Sequence, residues 1–88
     1  MEKRKSALIK EMRSKSATVI LGKRGVTEEF VEEVKKQLER KKVIKVKALK
    51  SVLAEQSFDE IASEIAIKTN SQLLETRGYT LLLAKKNF

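Results

Sequence analysis

Apolar residues recur with a helical period in some stretches of the chain and with a strand-like pattern in others. Leu8, Ile9 and Met12 fall at i, i+1 and i+4 and share one face, which predicts a helix over residues 2–14. Phe30, Val31, Val34 and Leu38 line one face of a second helix over residues 28–40, and Phe58, Ile61, Ala62 and Ile65 line a third that ends near Lys68. Thr18 to Leu21 is a short apolar run rich in β-branched residues, the pattern of a central strand buried on both faces. From Ile44 to Ala48 the pattern alternates, so Ile44, Val46 and Ala48 face a core while Lys45 and Lys47 face out. Gln72–Arg77 and Tyr79–Lys85 read as two strands around Gly78, with Leu73, Leu81 and Leu83 as core positions.

The polar punctuation agrees with these elements. Ser14-Lys15-Ser16 turns the chain out of the first helix. Thr27 is placed as an N-cap, its hydroxyl accepting from the first turn of the second helix. Ser57 and Glu60 form a capping box for the third, and Thr69-Asn70-Ser71 is a polar break. For residues 49–56 a helix start and a longer loop fit equally. The order is α-β-α-β-α-β-β, which predicts an α/β fold with a four-stranded mixed sheet packed by helices, in one domain over residues 1–88. In the second helix Glu28, Glu29, Glu32 and Glu33 precede Lys35, Lys36, Arg40, Lys41 and Lys42. That order complements the helix macrodipole and needs no ligand to explain it.

Charge changes this picture from a scaffold to a polyanion binder. The 88 residues carry 20 Lys/Arg and 12 Asp/Glu, a net charge of +8. Residues 1–25 alone hold eight basic residues (Lys3, Arg4, Lys5, Lys10, Arg13, Lys15, Lys23 and Arg24) against Glu2 and Glu11. A concentrated basic face is the electrostatic footprint of a protein that meets phosphates. The first helix, basic around a narrow apolar stripe, also has the form of a membrane-surface helix. Three large apolar residues give little insertion energy, so it is expected to dock on the protein's own sheet, with no membrane partner. There is no cysteine and no histidine. That removes disulfides, thiolate metal sites, and the commonest general base and metal ligand. No metal, cofactor or small-molecule substrate is expected. Catalysis would have to rest on carboxylates, lysines or Tyr79, and capping already explains Asp59 and Glu60. With no signal-like or membrane-spanning apolar run, the expected location is cytoplasmic.

The candidate site is the stretch from Thr18 to Glu29. A strand leads into Gly22-Lys23-Arg24-Gly25, and Thr27 opens the following helix. Gly22 and Gly25 have no Cβ to obstruct a ligand that lies against the main chain. Lys23 and Arg24 put two cations at the tip, and the helix N-terminus beyond attracts anions. The same tetrapeptide is also an ordinary strand-to-helix turn. Two readings likewise fit Lys45 and Lys47, as an extension of a basic surface or as gatekeepers of an edge strand. Tyr79 fits both a half-buried strand residue and a stacking platform for a base.

The stretch Val19-Ile20-Leu21-Gly22-Lys23-Arg24-Gly25-Val26-Thr27-Glu28-Glu29 resembles the CRM family (chloroplast RNA splicing and ribosome maturation) in its stand-alone YhbY-like form. Val43-Ile44-Lys45-Val46-Lys47 after Leu38 is similar to the family's Leu-Ile-Lys-Val-Lys strand. Arg77-Gly78-Tyr79-Thr80-Leu81-Leu82-Leu83 is similar to its closing hairpin. The chain departs from the pattern at Ser14-Lys15-Ser16, where the family has a proline-containing turn, and at Leu83-Ala84-Lys85, where the family has Leu-Tyr-Arg. The resemblance implies an RNA-binding module with an α-β-α-β-α-β-β fold, and the chain is expected to be non-catalytic and monomeric. Its loop at Gly22 to Gly25 would be analogous to the loop with which KH domains clamp RNA backbone. Stand-alone members are associated with the large ribosomal subunit or its precursors.

Together these readings assign RNA contact to Gly22, Lys23, Arg24 and Gly25. Lys3, Arg4, Lys5, Lys10 and Arg13 broaden it, and Lys45 and Lys47 extend it. The expected partner is structured ribosomal RNA or a pre-ribosomal particle of the large subunit. The alternative is a small DNA-binding or nucleoid-type basic protein, which the charge supports equally. No helix carries base-reading Asn or Gln beside Arg in the manner of a recognition helix.

Overall fold

A computed structural model describes residues 3–54 and 56–86, with the side chains of residues 3–5, 53 and 54 outside that description. The chain forms α1 (Lys3–Ser14), β1 (Val19–Leu21), α2 (Glu28–Lys41), β2 (Val43–Ala48), a 3-10 turn (Lys50–Ala54), α3 (Phe58–Lys68), β3 (Ser71–Arg77) and β4 (Thr80–Lys85). The four strands make one mixed sheet in the order β1-β2-β4-β3. β1 and β2 are parallel, and β4 is antiparallel to both β2 and β3. The expected α/β class and element order are those observed.

Helices cover both faces of the sheet, and each face has its own core. On one side Val34 and Leu38 of α2 and Ile61, Ala62 and Ile65 of α3 bury Leu21, Ile44, Val46, Ala48, Leu81 and Leu83. On the other side Ile9 and Met12 of α1 pack on Val43, Leu82 and Ala84. The narrow apolar stripe of α1 therefore docks on the protein's own sheet, as its three large residues require. It reaches only the end of the sheet where β2 begins and β4 finishes.

Capping fixes the helix starts. Thr27 Oγ1 accepts from the Phe30 N–H at 3.1 Å. Ser57 Oγ accepts from the Glu60 N–H at 3.2 Å, and the Ser57 hydroxyl donates to Glu60 Oε1 at 3.0 Å, so the two predicted residues do meet at the cap, with the carboxylate on the Ser57 hydroxyl rather than on its backbone N–H. Both α2 and α3 begin at the end of the sheet where β1 and β2 finish, and both carry carboxylates in their first turn: Glu28 and Glu29, Asp59 and Glu60.

Several expectations are corrected. β1 is an edge strand, not a central one, because the closing hairpin inserts β4 beside β2 and leaves β1 outermost. Val19 and Leu21 are buried, but Ile20 points to the α1 side, where α1 does not reach, and is 58% exposed. β2 is an inner strand, so Lys45 and Lys47 are not edge gatekeepers. Of the segment read as a helix start or a longer loop, Lys50–Ala54 forms a short 3-10 turn. β3 begins one residue early, at Ser71, whose hydroxyl lies 2.7 Å from that of Thr69 in a buried pair. Leu73, by contrast, packs against the main core as expected, though it is only half-buried. Tyr79 belongs to the turn before β4, not to the strand.

Candidate nucleic-acid interface

The parallel pairing of β1 and β2 brings three loops to one end of the sheet. The Leu49 N–H donates to Leu21 O at 3.1 Å, tying the end of β2 to the start of the glycine loop. The Ala48 N–H donates to Tyr79 O at 2.8 Å, tying it also to the β3–β4 turn. Backbone hydrogen bonds thus join Leu21, Ala48–Leu49 and Tyr79, so the segments 22–25, 48–50 and 77–80 share one rim.

Within the glycine loop the Gly25 N–H donates to Gly22 O at 3.0 Å, so Lys23 and Arg24 are the two corners of a tight turn. Both are exposed. The two glycines are present for different reasons. Gly25 has φ +77°, a conformation that side chains disfavour. Gly22 has no positive φ, and an added Cβ would meet nothing within 4 Å. The fold gives no reason for glycine at position 22, whereas close approach of a ligand would.

Electrostatics separate the basic residues into two groups. Among the described residues Lys23, Arg24, Lys47 and Arg77 form no ion pair, and their cations are presented to solvent. Glu28 and Glu29 follow the loop directly but form no ion pair with Lys23 or Arg24. By contrast, Arg13 is held by Glu75, with Nε and Nη2 at 2.9 and 2.8 Å from Oε1. A bulge in β3 between Leu73 and Glu75 brings both Leu74 and Glu75 to the α1 side and makes this pair possible. The Lys45 ammonium donates to Arg13 O at 2.9 Å and Lys15 O at 3.0 Å, neutralising the carbonyl end of α1.

The positions of the candidate residues follow. Gly22, Lys23, Arg24, Gly25 and Lys47 come together on the rim. Arg13 and Lys45 are engaged in fastening α1. Lys10 is exposed on α1, away from the rim. Lys3, Arg4 and Lys5 lie on the helical backbone of α1, and their side chains lie outside the described residues. Three rim residues were absent from the assignment: Lys50, Arg77 and Tyr79. The Lys50 ammonium is 6.0 Å from the centre of the Tyr79 ring. No local motif marks them; the signal is the order of strands, which places residues 50 and 77–79 at the same end of the sheet as residue 22.

The fold and rim define a small α/β domain that presents a cationic, glycine-bracketed end of its sheet. The chain belongs to the CRS1/YhbY (CRM) domain family, whose model matches residues 1–85. No curated protein matches it in sequence. Among solved structures it is similar to the hypothetical protein SAV1595 from Staphylococcus aureus, described as a candidate RNA-binding protein. The two are 22% identical with a TM-score of 0.74, over 98% of this chain and 88% of that one. The likeness shows that the fold is shared. No helix among the described residues is long and apolar enough to cross a membrane.

Proposed function

We propose that this protein binds RNA through the rim formed by Gly22–Gly25, Lys47, Lys50 and Arg77, and that it does so without catalysis. The observation that carries this reading is the convergence of five cations, none with an acidic partner among the described residues, around a loop whose first glycine the fold itself does not require. Family membership and the description of the Staphylococcus aureus neighbour support it. The finer reading is that the RNA is structured ribosomal RNA, met on the large subunit or its precursors in the cytoplasm by a monomeric chain.

Each phosphate neutralised by Lys or Arg releases counterions, so affinity falls steeply with salt. Replacing Lys23 and Arg24 by alanine is expected to weaken RNA binding and reduce the salt slope by ~1 per lost phosphate contact. An unchanged affinity and slope in a folded double variant would rule out the loop. Competition between duplex DNA and structured RNA at one ionic strength separates this reading from a DNA-binding one, and crosslinking in cells followed by sequencing identifies the RNA.

A further inference from the structure

We propose that the ring of Tyr79 is a stacking platform for an unpaired base, so that the rim takes RNA at a bulge, loop or end rather than along a continuous duplex. The inference rests on RNA as the ligand of the rim and adds to it the state of the nucleotide.

The packing of the two cores does not call for an aromatic ring at Tyr79. It is 44% exposed and belongs to neither core cluster, whereas Phe30 and Phe58 pack against the main core. It occupies the second corner of a two-residue turn between Arg77 and Thr80, which pair with each other. Gly78, at φ +60°, supplies the left-handed first corner, so a residue without special conformational demands suffices at the second.

The backbone beneath the ring is nevertheless firmly set. The Tyr79 carbonyl accepts from the Ala48 N–H at 2.8 Å, and the Thr80 hydroxyl donates to Arg77 O at 2.8 Å. A ring on a fixed main chain is a surface that a base can meet at small entropic cost.

Its surroundings select the ligand. The Lys50 ammonium lies beside the ring, Lys47 and Arg77 sit on the neighbouring rim positions opposite Thr80, and no acidic partner holds any of the three among the described residues. The glycine loop lies two strands away along the rim, ~10 Å at the usual strand spacing. Phosphate oxygens match the cations, and an aromatic face matches the ring. The exposed Lys50 ammonium, over the ring at 6.0 Å, keeps a phosphate near the stacked base. A continuous duplex offers phosphates but keeps its base faces inside the stack. Away from the ends of a duplex, only a nucleotide free of its partner satisfies both features.

Tyr79 is the sole tyrosine and the chain has no tryptophan, so tyrosine emission reports on this ring alone. The test compares a blunt RNA duplex with the same duplex carrying an unpaired adenine extension. The extended RNA is expected to quench Tyr79 emission saturably and the blunt duplex to leave it unchanged. Tyr79→Leu is expected to lose roughly tenfold in affinity for the extended RNA. Tyr79→Phe is expected to retain that affinity, and both variants to bind the blunt duplex as the wild type does. Equal affinity of the wild type and Tyr79→Leu for the extended RNA, or its binding without quenching, would overturn the inference while RNA binding stands. A wild-type chain that binds neither RNA would overturn both. Replacing Lys23 and Arg24 by alanine lowers affinity for both RNAs alike, which distinguishes phosphate contact from stacking. The emission measurement needs no variant, so it decides even if a substitution at Tyr79 perturbs folding.

Discussion

Lys45 donates to the carbonyl oxygens of both Arg13 and Lys15, so its ammonium closes the C-terminal end of α1, while Lys47, two residues on along β2, reaches solvent unpaired. Two lysines that look equivalent in an alternating strand thus do different things. Lys45→Ala is expected to lower stability by about 1 kcal/mol, since it removes charge-assisted hydrogen bonds that are partly open to water. Lys47→Ala is expected to stay within about 0.5 kcal/mol of the wild type and to weaken RNA binding instead. Urea unfolding and an RNA titration of each variant check the two halves separately.

The glycines divide in the same way. Gly25→Ala must place a Cβ at φ +77° and is expected to cost about 1 kcal/mol or more. Gly22→Ala meets open space and ordinary φ, so its unfolding midpoint should match that of the wild type. If the main chain at Gly22 touches a phosphate, the same variant weakens RNA binding. A Gly22→Ala variant as tight as the wild type would remove the close-approach argument.

Ile20 and Leu21 are neighbours in β1 with opposite surroundings. Leu21 is fully buried in the main core, and Leu21→Ala is expected to cost about 2–5 kcal/mol. Ile20→Ala, on the uncovered half of the opposite face, is expected to change stability by less than about 0.5 kcal/mol. Thermal unfolding of the pair tests whether β1 is an edge strand; comparable losses would indicate that something covers Ile20.

The hydrogen bond and charge of Lys85 hold the Glu39 carboxyl below its ordinary pKa, with Lys42 adding to the effect against a small desolvation. A carboxylate whose pKa is depressed on folding contributes stability above its unfolded pKa and loses it as pH falls through the folded value. Glu39→Gln is therefore expected to flatten the acid side of the stability profile and to leave its shape near neutrality unchanged. Because Glu39 is fully exposed, the difference is small and salt-sensitive. Melting temperatures of wild type and variant across the acid range, at low salt, measure it.

The sequence was most informative where one local rule was enough. The period of Val34 and Leu38, the hydroxyls of Thr27 and Ser57, and the alternation from Ile44 to Ala48 each specify an element through neighbours three, four or two residues away. The position of β1 needed more. A run such as Val19-Ile20-Leu21 reads the same at the centre of a sheet as at an edge half covered by a helix, and only the place of β4 decides between them. The site was legible to the same degree: the glycine loop is a local pattern, but Lys50, Arg77 and Tyr79 join it through strand order. The charge of Arg13 and Lys45 is visible in the sequence, but the partners that hold them, Glu75 and the carbonyls at the end of α1, are not. The bulge that turns Glu75 toward Arg13 leaves no mark in the residues around it.

The acidic first turns of α2 and α3 stand at the same end of the sheet as the cationic rim, on the helical side only. A polyanion nearing that end is repelled from one flank and drawn to the other. If the rim meets RNA as proposed, the encounter acquires a direction before any contact forms: the nucleic acid is turned away from the starts of α2 and α3 and onto the bare strand surface around Ile20 and Lys47. Neutralising those first-turn carboxylates would broaden the angles of productive approach without adding a single new handhold.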